Sequence, residues 1–228
     1  DLHRLIRRQR QMCIRDREAL DLRDRYGGTV DVIGFGPLSA EDVMKETLTY
    51  GIDDAFLIGD PQFADMDVSQ VAKIVAAVIK KLGPYDLVLC GRQAIDGDSA
   101  HMASMTSCAL EIPLIAYSDE ITEMKDGSVF ATCMGDQMAY KVEAKTPAMI
   151  LSIREKNKNR FPSVPDIMKT YDGTYKTKIL TNEDLNFSVT KGKVTQLRKY
   201  EVKSSKQQKL VMIGGKDEEE KATQILQL

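Results

Sequence analysis

The feature that most limits the fold is a repeated order of short apolar runs and amphipathic stretches between residues 18 and 110. Val30, Val32, Ile33 and Phe35 make a first run, closed by Gly36-Pro37. Ala55 to Ile58 make a second, and Leu87-Val88-Leu89-Cys90 a third that ends at Gly91. Runs of this length, bounded by turn residues, read as buried strands. Between the second and third, Val71, Ile74, Val75, Val78 and Ile79 recur at helical spacing within 68–82, with Gly83-Pro84 as the stop. Ala19, Leu20, Leu22 and Tyr26 predict a short helix ended by Gly27-Gly28. Ser39 with Asp42 is a capping signal for a helix to Tyr50, halted at Gly51. A further helix is expected over residues 99–110. Strands alternating with helices imply a mainly parallel sheet wound by right-handed crossovers.

After Pro113 the pattern changes. Leu114 to Met124, Ser128 to Met134, Met138 to Ala144 and Ala148 to Ile153 read as strands, with Asp126-Gly127 as a hairpin turn. Residues 154–200 carry charges, prolines and glycines with little periodicity, and are expected to form an extended arm lying on a partner. Residues 217–228 predict a short final helix whose Glu218, Glu219 and Glu220 complement the dipole. The organisation expected is thus an α/β domain over 18–153 and an arm over 154–228. Residues 1–17 stand apart: they hold six arginines, while all twenty lysines lie beyond them. QMCIRDR resembles translated adapter sequence, so 1–17 is expected to be non-native or disordered. A basic nucleic-acid arm and a transit peptide are the rival readings.

A chain of 228 residues buries roughly 70% of its unfolded surface, so it needs no disulfide or zinc scaffold. Its formal charge of -2 argues against nucleic acid, which requires a basic face. No apolar run approaches the ~20 residues that span a bilayer, and no apolar segment of signal-peptide type follows the first arginines. Cys13, Cys90, Cys108 and Cys133 make no C-x-x-C pair, and His3 and His101 are the only histidines. A soluble cytoplasmic protein without a metal site is expected.

Chemistry concentrates in residues 90–106. The segment leaves the carboxyl end of a parallel strand and opens a helix, where ligands of open α/β sheets bind and free N–H groups favour a phosphate. Gly91 and Gly97 let backbone approach a ligand. Phe35, Gly36 and Pro37 end another strand and line the same crevice. Asp96 and Asp98 would repel a phosphate. They read as helix caps, with Asp98 near the N-cap, or as acceptors for a ribose hydroxyl. A purely structural strand–glycine–helix turn stays open at this point. His101 reads as a helix-surface or ligand-packing residue and Cys90 as an inert small hydrophobe. Met102, Met105, Met134 and Met138 read as gap-filling core and interface residues.

The wording of Leu89-Cys90-Gly91-Arg92-Gln93-Ala94-Ile95-Asp96-Gly97-Asp98-Ser99-Ala100 resembles the signature of the electron transfer flavoprotein beta subunit. Residues 18–37, residues 40–58 with Tyr50-Gly51-Ile52-Asp53, and Arg160 to Lys169 are similar to further parts of that family. The resemblance implies an adenine nucleotide alpha hydrolase-like, doubly wound fold. It implies a heterodimer with an electron transfer flavoprotein alpha subunit and FAD or AMP in the crevice. Ligand contacts carry over to Phe35, Gly36, Cys90 and the run Ala94 to Met105, which includes His101, Met102, Ala103 and Ser104. Arg92 and the Gln93–Ala100 wording are similar to FAD-containing, electron-bifurcating members. The AMP members pass single electrons from acyl-CoA dehydrogenases. Val164, Pro165, Ile167 and Met168, flanked by Arg160 and Lys169, stand where the family docks such a dehydrogenase. The role implied is an electron carrier rather than a stand-alone enzyme, so no catalytic residue is named. A hydrolase or adenylating enzyme of similar fold is the alternative, although no G-x-x-x-x-G-K-[ST] loop occurs. An adenylate-sensing module is a third class. The family's opening strand has no match in residues 1–17, which implies a sheet short of one central strand. Ala103 stands where the family favours a smaller residue, and its methyl is expected to narrow the crevice.

Overall fold

A computed structural model describes residues 16–63, 66–92, 99–153, 161–185, 187, 217, 218 and 220–222. Residues 1–193 and 194–228 form two compact units. In the second, residues 218 and 220–222 are helical, and Asp217 Oδ1 accepts from the Glu220 N–H at 2.8 Å.

The first unit opens with helix α1 over residues 16–26. Asp16 and Arg17 are already helical, which corrects the expectation that the fold starts at Glu18; residues 1–15 lie outside the described residues. There follow β1 (Asp31–Phe35), α2 (Glu41–Leu48), β2 (Asp54–Ile58), α3 (Val68–Leu82), β3 (Leu87–Gly91) and α4 (Met102–Leu110). The chain then adds β4 (Leu114–Lys125), β5 (Ser128–Met134), β6 (Ala139–Lys145), β7 (Ala148–Ser152), α5 (Val164–Tyr171), β8 (Lys178–Leu180) and α6 (Asn182–Leu185). This is the doubly wound α/β architecture, with parallel strands and an antiparallel extension.

The strands form two sheets, ordered β1-β2-β8 and β3-β7-β4-β5-β6. The first is parallel throughout. In the second, β3, β7 and β4 are parallel and β4-β5-β6 antiparallel. Among the described residues no strand joins β1 to β3; residues 1–15, where the family's opening strand was sought, lie outside the described residues. Side chains span this gap instead: Tyr85 Oη, just before β3, donates to Asp31 Oδ2 at the start of β1 at 2.6 Å. That contact brings the amino ends of β1 and β3 together.

Apolar side chains cover both faces. On one, Leu20 of α1 packs with Val30, Met44, Leu48, Ala55 and Leu57 over the first sheet. Leu22, two residues on, packs with Ile115, Ile121, Ala148 and Ile150 over the second. Gly34 admits Met44 close against β1: a Cβ there would meet its sulfur at 2.6 Å. On the other face, Ile74 and Val78 of α3 pack with Ile58 and Phe63, and Ala103 of α4 packs with Met149 and Leu151.

Local signals explain most boundaries. Asp67 and Gln70 make a reciprocal capping box at the start of α3. Asp126 and Gly127 have φ of 52° and 69°, the primed-turn geometry that suits a hairpin. Three expectations need correction. Ser39 does not cap α2; it lies in a 3-10 turn, Leu38–Ala40, and the N-cap Ala40 makes no side-chain bond. β6 starts at Ala139 because the Met138 carbonyl accepts from Gly135 N–H at 2.9 Å, closing the turn. Within the stretch read as an arm, α5, β8 and α6 are regular elements, and β8 pairs with β2 through Phe56↔Lys178, Leu57↔Ile179 and Ile58↔Leu180. β8 spans three residues, too short for periodicity to reveal, and its partner is more than a hundred residues away in sequence.

Two outcomes follow from this packing. Leu20 is 0% exposed and Leu22 6%, so Leu20→Ala and Leu22→Ala should each cost about 2–5 kcal/mol in urea unfolding; losses below about 1 kcal/mol would contradict the packing. Burial, then the Asp31 hydrogen bond, pushes the Tyr85 phenol well above its ordinary value of 10.0. The folded chain therefore holds this proton more tightly than the unfolded one. The stabilisation is full below pH 10 and declines as pH rises beyond it. Wild type should lose stability above pH 10 more steeply than Tyr85→Phe in parallel melts.

Candidate functional site

The carboxyl ends of β1, β2 and β3 lie at one end of the unit. Phe35 is the last residue of β1 and its side chain is half-exposed. Beyond it, Gly36 N–H donates to Ile58 O at 3.2 Å, tying the turn to the end of β2. Pro37 is exposed. Leu38 lies over Gly59, where a Cβ would meet Leu38 Cδ2 at 3.0 Å. Gly59 therefore keeps this rim closely packed.

Across the gap, Cys90 is half-buried, with its Sγ 3.5 Å from Ile150 O, and packs with Ala103, Met149 and Leu151. That setting agrees with a small apolar role for its thiol. Gly91 ends β3 and Arg92 is exposed. Gln93, Ala94, Ile95, Asp96, Gly97 and Asp98 lie outside the described residues. Ser99 and Ala100 precede the helix, and Ala100 takes the left-handed conformation with φ 55°.

The helix does not start near Asp98. Its N-cap is His101, which makes no side-chain capping bond. The left-handed turn at Ala100 delays helix onset by about one turn. The N–H groups of Met102, Ala103 and Ser104 are thus the first-turn donors, which have no acceptor within the helix itself. No acidic residue stands in that turn, an arrangement that suits an anion. Ser104 Oγ turns back to donate to His101 O at 3.0 Å, and Met105 is exposed. Ala103 is 3% exposed and packs on the sheet. Its methyl faces the core, correcting the expectation that it narrows the crevice.

Phe35, Gly36 and Pro37 thus stand at the carboxyl end of β1, and Cys90, Gly91 and Arg92, followed by 99–105, at that of β3. Three features escaped the sequence reading. Phe63 stacks on Phe35, ring centroids 6.2 Å apart and planes at 26°. Ser118, within β4, pairs in register with Ser152 at the carboxyl end of β7; both are buried, and Ser118 Oγ has no hydrogen-bond partner. The third is the length of the apolar face on α5. Val164 and Met168 are exposed as expected, and Phe161 and Tyr171 join them, at 80% and 75% exposure. The spacing Val164, Met168, Tyr171 is helical and was available as a signal. Pro165 is exposed and Ile167 half-buried; Arg160 lies outside the described residues. Met105, Met134 and Met138 are exposed, so none of these three fills the core. Among the described residues no cluster of three or more His, Cys, Asp or Glu can hold a metal, and no helix is long and apolar enough to cross a membrane.

Together these features define a doubly wound α/β protein with a break in strand order, flanked by an aromatic strand tip on β1 and by a helix whose first turn bears no acidic residue. Comparison with known proteins narrows the class. The family model of the electron transfer flavoprotein domain matches residues 17–179. The electron transfer flavoprotein subunit beta of Thermoanaerobacterium thermosaccharolyticum is 38% identical over 169 residues, covering 74% of this chain and 64% of the relative. That of Clostridium acetobutylicum is 36% identical over 196 residues, covering 84% and 74%. The caffeyl-CoA reductase-Etf complex subunit CarD of Acetobacterium woodii is 35% identical over 172 residues, covering 75% and 64%. The chain belongs to the electron transfer flavoprotein family, on its beta-subunit branch. It spans 64–74% of the length of these relatives.

Proposed function

We propose that this chain is the beta-type subunit of a heterodimeric electron carrier, holding FAD or AMP in the crevice between β1 and β3. It would pass electrons between a dehydrogenase or reductase of the acyl-CoA class and a further acceptor or NADH. The observation that supports this most is the start of α4: first-turn N–H donors with no acidic residue in that turn, on the chain that follows the glycine ending β3. This arrangement suits a phosphate, and family membership supports an adenine nucleotide as its bearer. The residues present fit such a group. Met102, Ala103 and Ser104 supply backbone donors, Phe35 an apolar wall, and Arg92 a guanidinium. A bound flavin supplies one- and two-electron redox chemistry, whereas AMP supplies none. Arg92 at the tip of β3 favours FAD, because a guanidinium stabilises an anionic reduced ring by a charge-assisted hydrogen bond.

The partner proposed is an alpha-type subunit of the same family. For the dehydrogenase, the exposed face of α5 is the docking surface. Val164, Met168 and Tyr171, with Phe161, present a row of apolar side chains to solvent, while Ser163 caps the helix by accepting from Asp166 N–H at 3.1 Å. That CarD is a subunit of a caffeyl-CoA reductase-Etf complex supports a partner acting on acyl-CoA thioesters. A cytoplasmic location is part of the same proposal.

Two measurements test it. The heterodimer with its alpha-type partner, once denatured, should release two FAD. One FAD with one AMP would make it a simple carrier, and one FAD without AMP would remove the crevice assignment. Val164 is 69% exposed, so Val164→Asp should leave the melting temperature and bound nucleotide unchanged. It should weaken dehydrogenase binding by about tenfold or more, in line with burial of one apolar side chain. Lost stability with intact docking would instead assign Val164 to the chain's own packing.

A further inference from the structure

We infer that Phe63 is a positioning residue for the crevice: it fixes the Phe35 ring as the middle member of a stack whose next member is the planar ring of the ligand. This rests on the nucleotide reading above. Phe35 ends β1 with 36% of its surface exposed, whereas Phe63 is 2% exposed. Their rings lie 6.2 Å apart at 26°, an offset stack within the favourable range. One side of Phe35 is therefore backed by a buried ring while part of it remains open.

Phe63 is itself held firmly. It packs with Ile58 of β2 and with Ile74 and Val78 of α3. It ends a 3-10 turn, Pro61–Phe63, that Asp60 fastens on both sides. Asp60 Oδ1 accepts from Gln62 N–H at 2.8 Å, Oδ2 accepts from Asn182 N–H at 2.8 Å, and Asp60 O accepts from Phe63 N–H at 3.0 Å. Moving Phe63 would disturb α3, the turn and the entry to α6 together, so Phe35 has a rigid support.

The support faces the right way. Ile33, two residues before Phe35 and so on the same face of β1, packs in the α3 cluster. Cys90 of β3 packs on Ala103 of α4, and α3 and α4 lie side by side. Phe35 and the start of α4 thus share one face and one end of the unit. A ligand with an anionic group at the first turn of α4 can lay a flat ring on Phe35. The chemistry that such a wall favours is a planar heteroaromatic ring, adenine or isoalloxazine, which can stack on it over its whole face.

The test is a double-mutant cycle on the full chain, titrated with AMP and with FAD by calorimetry. Phe35→Leu and Phe63→Leu should each weaken binding roughly five- to tenfold, the range of a lost aromatic stack. In the Phe35→Leu background, Phe63→Leu should add less than about twofold, since both act through one contact. Phe35→Trp, which keeps a planar ring, should retain affinity. Equal losses for Phe63→Leu in both backgrounds, or no loss at all, would overturn the inference while leaving the nucleotide site in place. A wild-type chain that binds neither AMP nor FAD would overturn both. If Phe63→Leu does not fold, the half-exposed Phe35 decides. Loss with leucine and retention with tryptophan support the stack, and no loss with leucine overturns it.

Discussion

The structure depends on one short helix that serves two sheets. Leu20 and Leu22 are two positions apart in α1, so their side chains point to nearly opposite sides of the helix. One enters the apolar cluster over β1 and β2, the other the cluster over β4, β5 and β7. No backbone ladder joins β1 to β3 among the described residues. The two halves are held together by α1 on one face and by α3 lying against α4 on the other, with Tyr85 and Asp31 bridging the amino ends. The hydrophobic effect is non-directional and can bridge such a gap, whereas hydrogen bonding between strands cannot reach across it.

The same break shapes the candidate site. Ligands of doubly wound sheets settle where strand order reverses, outside the carboxyl ends, and the open edges of β1 and β3 meet that description. Each edge brings a different chemistry. β1 ends in an aromatic ring braced from behind, and β3 leads through glycine into a helix whose first turn bears no acid. An apolar wall opposite a row of backbone donors matches a molecule that is flat and apolar at one end and anionic at the other. Adenine nucleotides are such molecules, and membership of the electron transfer flavoprotein family agrees with that choice.

Residues beyond β7 show how a polar, weakly patterned stretch is divided. β8 is drawn onto the first sheet by parallel pairing with β2, and α5 lies near α2 with only Thr170 fully buried. Its opposite face keeps Val164, Met168 and Tyr171 in water. Exposed apolar groups aligned on one helix mark an interaction surface more often than chance exposure. One side of the segment is therefore anchored to this chain, while the other leaves apolar groups exposed.

What the sequence determined was the periodicity and its punctuation. The runs around Val32, Phe56 and Val88, the helical spacing of Val71 to Ile79, and the Asp126-Gly127 turn predicted the elements within a few residues, because each depends on neighbours in sequence. The Leu89–Ala100 wording pointed to the family. Tertiary structure alone decided the rest. It moved the start of α4 to Met102 through the left-handed Ala100, turned the Ala103 methyl into the core, and set Phe63 behind Phe35. It also paired Ser118 with Ser152 and recruited β8 to a strand more than a hundred residues away. In each case the deciding contact lies between residues remote in sequence, or in a backbone dihedral set by packing, and no local pattern encodes either.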